Sequence, residues 1–388
     1  MREAVIVSAV RTPIGKLGGM LTRFEGYQLG GLVVKEAVRR AGVDPADIDD
    51  VYMGNAEGAP GNLGRVIALE ADLPDSVPGA QVDRQCASGL ETICIAAAMI
   101  ESGHGDVYVA GGAESQSNNP YFMTKSKRAF SYAPPEFNYV MMAPPKAGNP
   151  DMGITAENVL EKHPVSREKL DQFALTSHQR AVKAIKAGVF KEQILPLTTK
   201  IKGKEVVIDT DECPRENANM EDLGKLRAIF KKDGSVTAGN SCPMNDGACA
   251  VVIMSAEKAK ELGVKPLCKV KAFASVGLDP HYMGFGPIGA VQKVLKKADI
   301  TLDEVELIEL NEAFASQSVG CIEQLGLDPE RVNPNGGAIA LGHPLGATGA
   351  ILTTKAAYAL QNAERRYAIV TMCVGGGLGS AAVFEKID

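Results

Sequence analysis

Short β-branched runs alternate with longer stretches of helical period along most of the chain. Val5-Ile6-Val7 and Val107-Tyr108-Val109 read as strands, whereas Leu29, Leu32, Val33 and Val38 mark one face of a helix that Gly42 ends. This alternation predicts layered α/β architecture. A further stripe of Leu170, Phe173, Ala174, Ala181 and Ile185 starts behind Ser166, a good helix cap, and stops at Gly188. Between about 115 and 150 the pattern is broken by Asn118-Asn119-Pro120, Pro134-Pro135, Pro144-Pro145 and Asn149-Pro150. That segment reads as an excursion over the surface, helical in its later part.

A weak internal repeat sharpens the architecture. Ala41 to Asn55 and Ala298 to Asn311 share one pattern, a helix end, a turn and a strand closing on asparagine. Cys86 follows Asn55 by 31 residues, in Cys-Ala-Ser-Gly, and His343 follows Asn311 by 32, in His-Pro-Leu-Gly. After each comes an apolar helix, a strand and a glycine run, Gly111-Gly112 or Gly375-Gly376-Gly377. Two copies of one α/β unit packed about a pseudo-twofold would bring Cys86 and His343 to equivalent helix starts facing one pocket.

With 388 residues and 45% apolar content, the chain exceeds what one core usually serves. Its formal net charge of -6 and pI near 5.6 leave no basic stripe for a nucleic-acid backbone. The longest apolar stretch, around Thr92 to Ile100, is far short of the ~20 residues that cross a bilayer, and no signal or transit peptide is visible. A cytoplasmic protein is therefore expected. Eight cysteines, with no C-x-x-C pair and no cysteine-histidine cluster, predict neither a disulfide framework nor a metal site.

Three positions carry candidate chemistry. Cys86 opens a helix apolar on most sides (Leu90, Ile93, Cys94, Ala97, Ala98, Ile100), where the helix dipole and free N–H groups favour a thiolate. Its local sequence fits a nucleophile and a small buried residue equally well, while Cys94, mid-helix, reads as packing. His343 sits between Gly342 and Pro344 in a glycine-lined turn before a long helix. Cys373 ends a strand and is followed by glycines whose N–H groups can hold an oxyanion. A dinucleotide-binding reading of those glycines fails, because the spacing is not G-x-G-x-x-G and no acidic ribose ligand follows.

Together Cys-Ala-Ser-Gly at 86, Asn311-Glu-Ala-Phe-Ala315, Gly342-His343-Pro344 and Cys373 with its glycines resemble the thiolase family. Ser8 to Gly15, Gly111 to Ser115, Met152 to Asn158, Thr237 to Asn240, Asn245 to Gly247 and Met283 to Pro287 extend the resemblance over nearly the whole chain. It implies a duplicated α-β-α-β-α layered fold: 1–117 as the N-terminal half, 118–248 as an inserted loop (lid and CoA-binding) domain, and 266–388 as the C-terminal half. The end of the loop domain returns to the first half until about 265.

The same resemblance implies acyl transfer between CoA thioesters, with no cofactor and CoA as a substrate. Cys86 would be the nucleophile, His343 its base and Cys373 the second acid/base. Asn311 would hold a water that forms one oxyanion hole with His343, and the N–H groups of Cys86 and Gly375 a second. Arg215, Phe230, Ala238, Met283 and Phe314 would line the CoA path, and a homodimer or homotetramer is expected. Asp151 and Cys242-Pro243 depart from the His-Met-Gly and Ser-Gly of many acetoacetyl-type members, which bears on acyl-chain preference, and Asp222 stands where serine is frequent, on the side the resemblance assigns to the CoA ribose or adenine. Competing readings are a ketoacyl-synthase-like condensing enzyme, against which Cys373 argues, and a non-catalytic thiolase-fold protein that binds acyl-CoA or lipid.

Overall fold

The structure is a computed structural model describing residues 2–58, 61–126, 134–138, 140–201 and 203–387. Its main strands are β1 (Ala4–Arg11), β2 (Asp50–Gly54), β3 (Gly79–Val82), β4 (Val107–Ser115), β5 (Asn245–Ser255), β6 (Cys268–Gly277), β7 (Val305–Leu310), β8 (Tyr367–Val374) and β9 (Leu378–Glu385). They lie in the order β7-β8-β9-β6-β1-β5-β4-β2-β3. Reading outward from the junction of β1 and β6, the series β1-β5-β4-β2 is matched by β6-β9-β8-β7. The junction is short, pairing Val5 with Lys269 and Ile6 with Cys268. The duplication expected from the sequence is thus present in the strand order.

The principal helices are α1 (Gly26–Ala41), α2 (Ser88–Glu101), α3 (Met152–Lys162), α4 (Arg167–Lys186), α5 (Gly286–Ala298), α6 (Ala315–Leu325) and α7 (Leu345–Leu360). Helix α1 covers the outer face of the first half against β1 and β5, and α5 covers the second against β6 and β9. Between them α2 and α7 form a central layer, packed on each other and on both sets of strands. A helix apolar all round has no face to offer water, so burial in that layer is what α2 and α7 require. One core of Ile6, Leu90, Ile93, Ile351, Leu352 and Phe384 surrounds the pair, with further cores under α1 and under α5.

Glycine permits the close approach of α2 to α7. A methyl on Gly89 would stand 2.7 Å from the Gly346 carbonyl oxygen, and one on Gly349 only 2.3 Å from the Leu90 nitrogen. Both helix starts therefore meet near the pseudo-twofold, with Cys86 just before one and His343 just before the other.

Elsewhere the pattern holds with one exception. Gly42 takes the left-handed conformation (φ +65°) and ends α1, whose buried face is Leu29, Val33, Val34, Ala37 and Val38. Leu32, expected on that face, is 38% exposed, because it falls outside the 3.6-residue stripe the others define. The Ser166 hydroxyl accepts from Lys169 N–H at the start of α4, and Gly188 (φ +74°) follows its end. The excursion contains a two-residue pairing of Phe122–Met123 with Phe137–Asn138 before α3, and part of it (127–133 and 139) lies outside the described residues.

The stretch around residue 211 is tied to the sheet by a buried ion pair. Both Arg11 terminal nitrogens reach Asp211, at 2.7 and 2.9 Å, and neither side chain is exposed. Asp211 also accepts from Ile14 N–H, so the carboxylate is well supplied with donors.

Candidate active site

Cys86 is presented by a tight turn. Gln85 adopts a left-handed φ of +48°, unusual for a side chain with a Cβ. Ser88 braces the turn, its hydroxyl accepting from Arg84 N–H and donating to the Gln85 carbonyl. Helix α2 begins at Ser88 behind Ala87, so Cys86 precedes the first turn rather than lying in it.

The expectation of a favoured thiolate is corrected here. Burial pushes the Cys86 thiol up to about 11, and the nearby N–H of Gly375 offsets only part of that. Desolvation outweighs the helix-start field because the dipole acts only within the adjoining turn. At rest Cys86 is a neutral thiol.

His343 is fixed from three sides. Its backbone N–H donates to Asn245 Oδ1 at 2.8 Å, an approach that Gly342 (φ +114°) permits, since a methyl there would stand 2.6 Å from the Asn245 side chain. Its Nδ1 lies 2.7 Å from Thr348 Oγ1 and its Nε2 lies 3.4 Å from Asn311 Nδ2. The Asn311 amide can only donate, so Nε2 is the acceptor and Nδ1–H donates to Thr348. Burial lowers the imidazole to about 4 and keeps it neutral. A neutral histidine with an unprotonated Nε2 is a general base.

Asn311 follows the last residue of β7, and its N–H donates to the Thr371 carbonyl of β8. It does not act as a simple helix cap. Its Oδ1 is buried and has no partner among the described residues, a free acceptor suited to holding a water or a polar substrate atom.

Cys373 is the penultimate residue of β8, opposite Gly379 of β9, and Gly375, Gly376 and Gly377 make the turn between the two strands. Gly376 and Gly377 have φ of +86° and +82°, a backbone path glycine follows freely. Cys373 is buried among Ala156, Val236, Met283, Ala313 and Phe314. That burial, reinforced by the nearby Cys86 thiol, holds it well above the ordinary cysteine range and therefore protonated. Cys242 belongs to the same group, since burial and then the Cys86 thiol push it up to about 12. One strand-turn unit thus carries a protonated thiol at 373 and, two residues on, an N–H that faces the Cys86 sulfur.

The whole chain matches two family models, Thiolase, N-terminal domain over residues 4–257 and Thiolase, C-terminal domain over 264–386. The chain belongs to the thiolase family. Similar proteins include a beta-ketothiolase of Cupriavidus necator (44% identity) and an acetyl-CoA acetyltransferase of Syntrophomonas wolfei (41%), each aligned over the full length of both chains. A beta-ketoadipyl-CoA thiolase of Acinetobacter baylyi is 44% identical, again over both full lengths. Among solved structures, the crystal structure of the Bacillus anthracis acetyl-CoA acetyltransferase matches with a TM-score of 0.95 at 41% identity, covering 100% of this chain and 99% of that one. As a family member it is an acyltransferase enzyme acting on acyl-CoA thioesters, built on the thiolase fold.

Within this thiolase fold the five positions expected along the CoA path fall into two groups. Phe230, Met283 and Phe314 gather beside Cys373, the two phenylalanine rings edge to face at 6.2 Å. Arg215 and Ala238 instead line a surface cavity of about 330 Å³ with Lys16, His178, Cys213 and Pro243. There His178 Nδ1 accepts from Arg215 N–H, and burial together with Arg215 lowers the ring to about 4. Asp151 caps α3 by accepting from Gly153 N–H. Asp222 is an exposed side chain near Lys225. No helix is long and apolar enough to cross a membrane, and among the described residues no group of three His, Cys, Asp or Glu could hold a metal ion.

Thr348 and Met142 gave no signal in the sequence, and Asn245 appeared only within a supporting motif. Thr348 stands five residues after His343, a spacing that becomes contact only because Pro344 turns the chain into α7.

Proposed function

We propose that this thiolase-family chain interconverts two acetyl-CoA with acetoacetyl-CoA and CoA, or cleaves a 3-ketoacyl-CoA with CoA, through an acyl group carried on Cys86. The observation that carries the reading is the convergence at one turn of Cys86, of the Gly375 N–H that lowers its thiol against burial, and, two residues from that glycine, of the protonated Cys373. Nucleophile, oxyanion donor and proton donor meet at one strand turn.

In the cleavage direction the Cys86 sulfur attacks the 3-keto carbon, and its proton passes to His343 Nε2. The alkoxide collapses, the bond between C2 and C3 breaks, and Cys373 supplies a proton to the acetyl-CoA carbanion. CoA thiol gives its proton to the Cys373 thiolate and attacks acyl-Cys86, and His343 returns its proton to the departing Cys86 sulfur, giving the shortened acyl-CoA and the free Cys86 thiol. Because Cys86 and His343 are both held neutral, proton transfer accompanies sulfur attack instead of preceding it. The N–H groups of Cys86 and Gly375 stabilise one oxyanion, and a water held on Asn311, with His343 once Nε2 carries the Cys86 proton, the other; each such donor contributes ~3 kcal/mol.

Arg215 suits a CoA phosphate, and Ala238, Phe230, Met283 and Phe314 suit the adenine and pantetheine surfaces. CoA is a substrate and no cofactor is invoked. We assign residues 118–248 as the loop domain between the halves 1–117 and 266–388, with the stretch to about 265 returning to the first half. A homo-oligomeric cytoplasmic enzyme is consistent with the bacterial relatives.

The test compares wild type with Cys86→Ala for CoA-dependent loss of acetoacetyl-CoA and of 3-ketooctanoyl-CoA absorbance. Cleavage of either ester by wild type, with a loss on the order of 10⁴-fold or more in the variant, supports the proposal. A folded wild type inert to both points to a non-catalytic acyl-CoA binder.

A further inference from the structure

Met142 lies across the glycine turn that completes the nucleophile's site. A side chain at Gly375 would begin 2.6 Å from the Met142 sulfur, and one at Gly376 would begin 2.6 Å from the Met142 carbonyl oxygen. The thioether therefore occupies the space that Gly375 leaves open, beside the N–H that reaches Cys86. Its segment is fastened in place. Asn149 Oδ1 accepts from Met142 N–H at 3.0 Å and from Ala143 N–H at 2.9 Å, and the His281 ring packs against Gly148. Met142 is half-buried, while its neighbour Met141 is 64% exposed. It forms the wall between the Cys86 site and solvent.

We infer that Met142 sets the acyl-chain length this enzyme accepts. The inference rests on the acyl-Cys86 reading above. An acyl carbonyl oxygen bonded to Gly375 N–H lies about 2.9 Å from that nitrogen, which holds the carbonyl carbon close over the turn. The alkyl tail then leaves past the residue that covers Gly375, and that residue is Met142. An acetyl group ends before it meets the thioether, whereas each added methylene has to displace or bend the methionine. Met283 and Phe314 pack with Cys373 in one buried cluster, so widening the site there would disturb the second acid/base. A single methylene in such a pocket changes discrimination by about 10-fold or more.

The experiment measures kcat/KM for 3-ketooctanoyl-CoA and acetoacetyl-CoA in wild type, Met142→Ala and Met142→Leu. We expect the preference for 3-ketooctanoyl-CoA, which loads a hexanoyl group on Cys86, over acetoacetyl-CoA to rise about tenfold or more in Met142→Ala and to stay within about twofold in Met142→Leu, which conserves volume. Intact-protein mass spectrometry after exposure to hexanoyl-CoA or acetyl-CoA gives a second readout that depends on acyl loading alone, with hexanoyl loading expected to gain in Met142→Ala. An unchanged preference in both assays, with the variant folded and turning over, overturns the inference. A wild type inert to both esters overturns the reaction itself, and this inference with it.

Discussion

At the residue scale, burial moves the nucleophile and the base in opposite senses, and both shifts keep them neutral. Cys86 stays a thiol until pH approaches about 11, and His343 stays unprotonated down to about 4. We expect kcat/KM to be flat across pH 6 to 8, without the inflection near 6.5 of an ordinary histidine, and to fall only as pH approaches 4. A pH profile with a break near 6.5 would show His343 to be solvated. The same shift affects stability. Unfolding returns His343 to its ordinary 6.5, so between 6.5 and about 4 the unfolded chain binds the extra proton. Its contribution is fully favourable above 6.5 and is lost as pH falls through that window. Thr348 holds the His343 ring at Nδ1, so Thr348→Val should lower kcat about 10- to 100-fold with little change in KM, as steady-state kinetics would reveal. Cys86, His343 and Cys373 were legible in the sequence because glycine and proline mark the turns that present them. Thr348, Asn245 and Met142 were not, because their roles arise through space, as does the desolvation that overrides the helix-start field at Cys86.

At the element scale, the geometry depends on two helices whose first turns touch. A methyl on Gly346 would lie 2.6 Å from the Asn55 Cα and 2.8 Å from the Gly54 carbonyl oxygen, both backbone atoms with little freedom to yield. Gly346→Ala should therefore destabilise the fold by about 1–3 kcal/mol, seen as a lower denaturant midpoint at unchanged slope, and should displace His343 with it. Glu114, at the end of β4, joins the halves at this point by accepting from Gly346 N–H and Ala56 N–H through one oxygen and from Asn55 Nδ2 through the other. Burial raises its carboxyl to about 7 against those donors. Periodicity and the asparagine-closed repeat predicted the paired units well, since each element's apolar pattern is local. The contact between helices was not readable, because small residues at 89, 346 and 349 become a packing surface only once the two helices are side by side.

At the scale of the whole molecule, the stretch around residue 211 is anchored by the Arg11–Asp211 pair at the end of the interior strand β1, near Ile14. Removing one partner leaves a buried charge uncompensated, so Asp211→Ala should cost about 3–5 kcal/mol in chemical denaturation, and Arg11→Met with Asp211→Leu should recover most of it. The duplicated halves and the thiolase fold followed from the repeated pattern and the motif order; the order of the strands did not, since pairing is set across the sheet. The pairing of Arg11 with Asp211 across 200 residues did not, since neither residue carries a local mark.

The central claim is that Cys86 carries the acyl group. Incubation with acetyl-CoA, acid quench and peptide mass mapping tests it directly. The account predicts an acetyl adduct on the peptide containing Cys86, removed by added CoA and absent in Cys86→Ala, while Cys242 and Cys373 stay unmodified. An adduct on either of those thiols, or persistence of acetylation in Cys86→Ala, would contradict it.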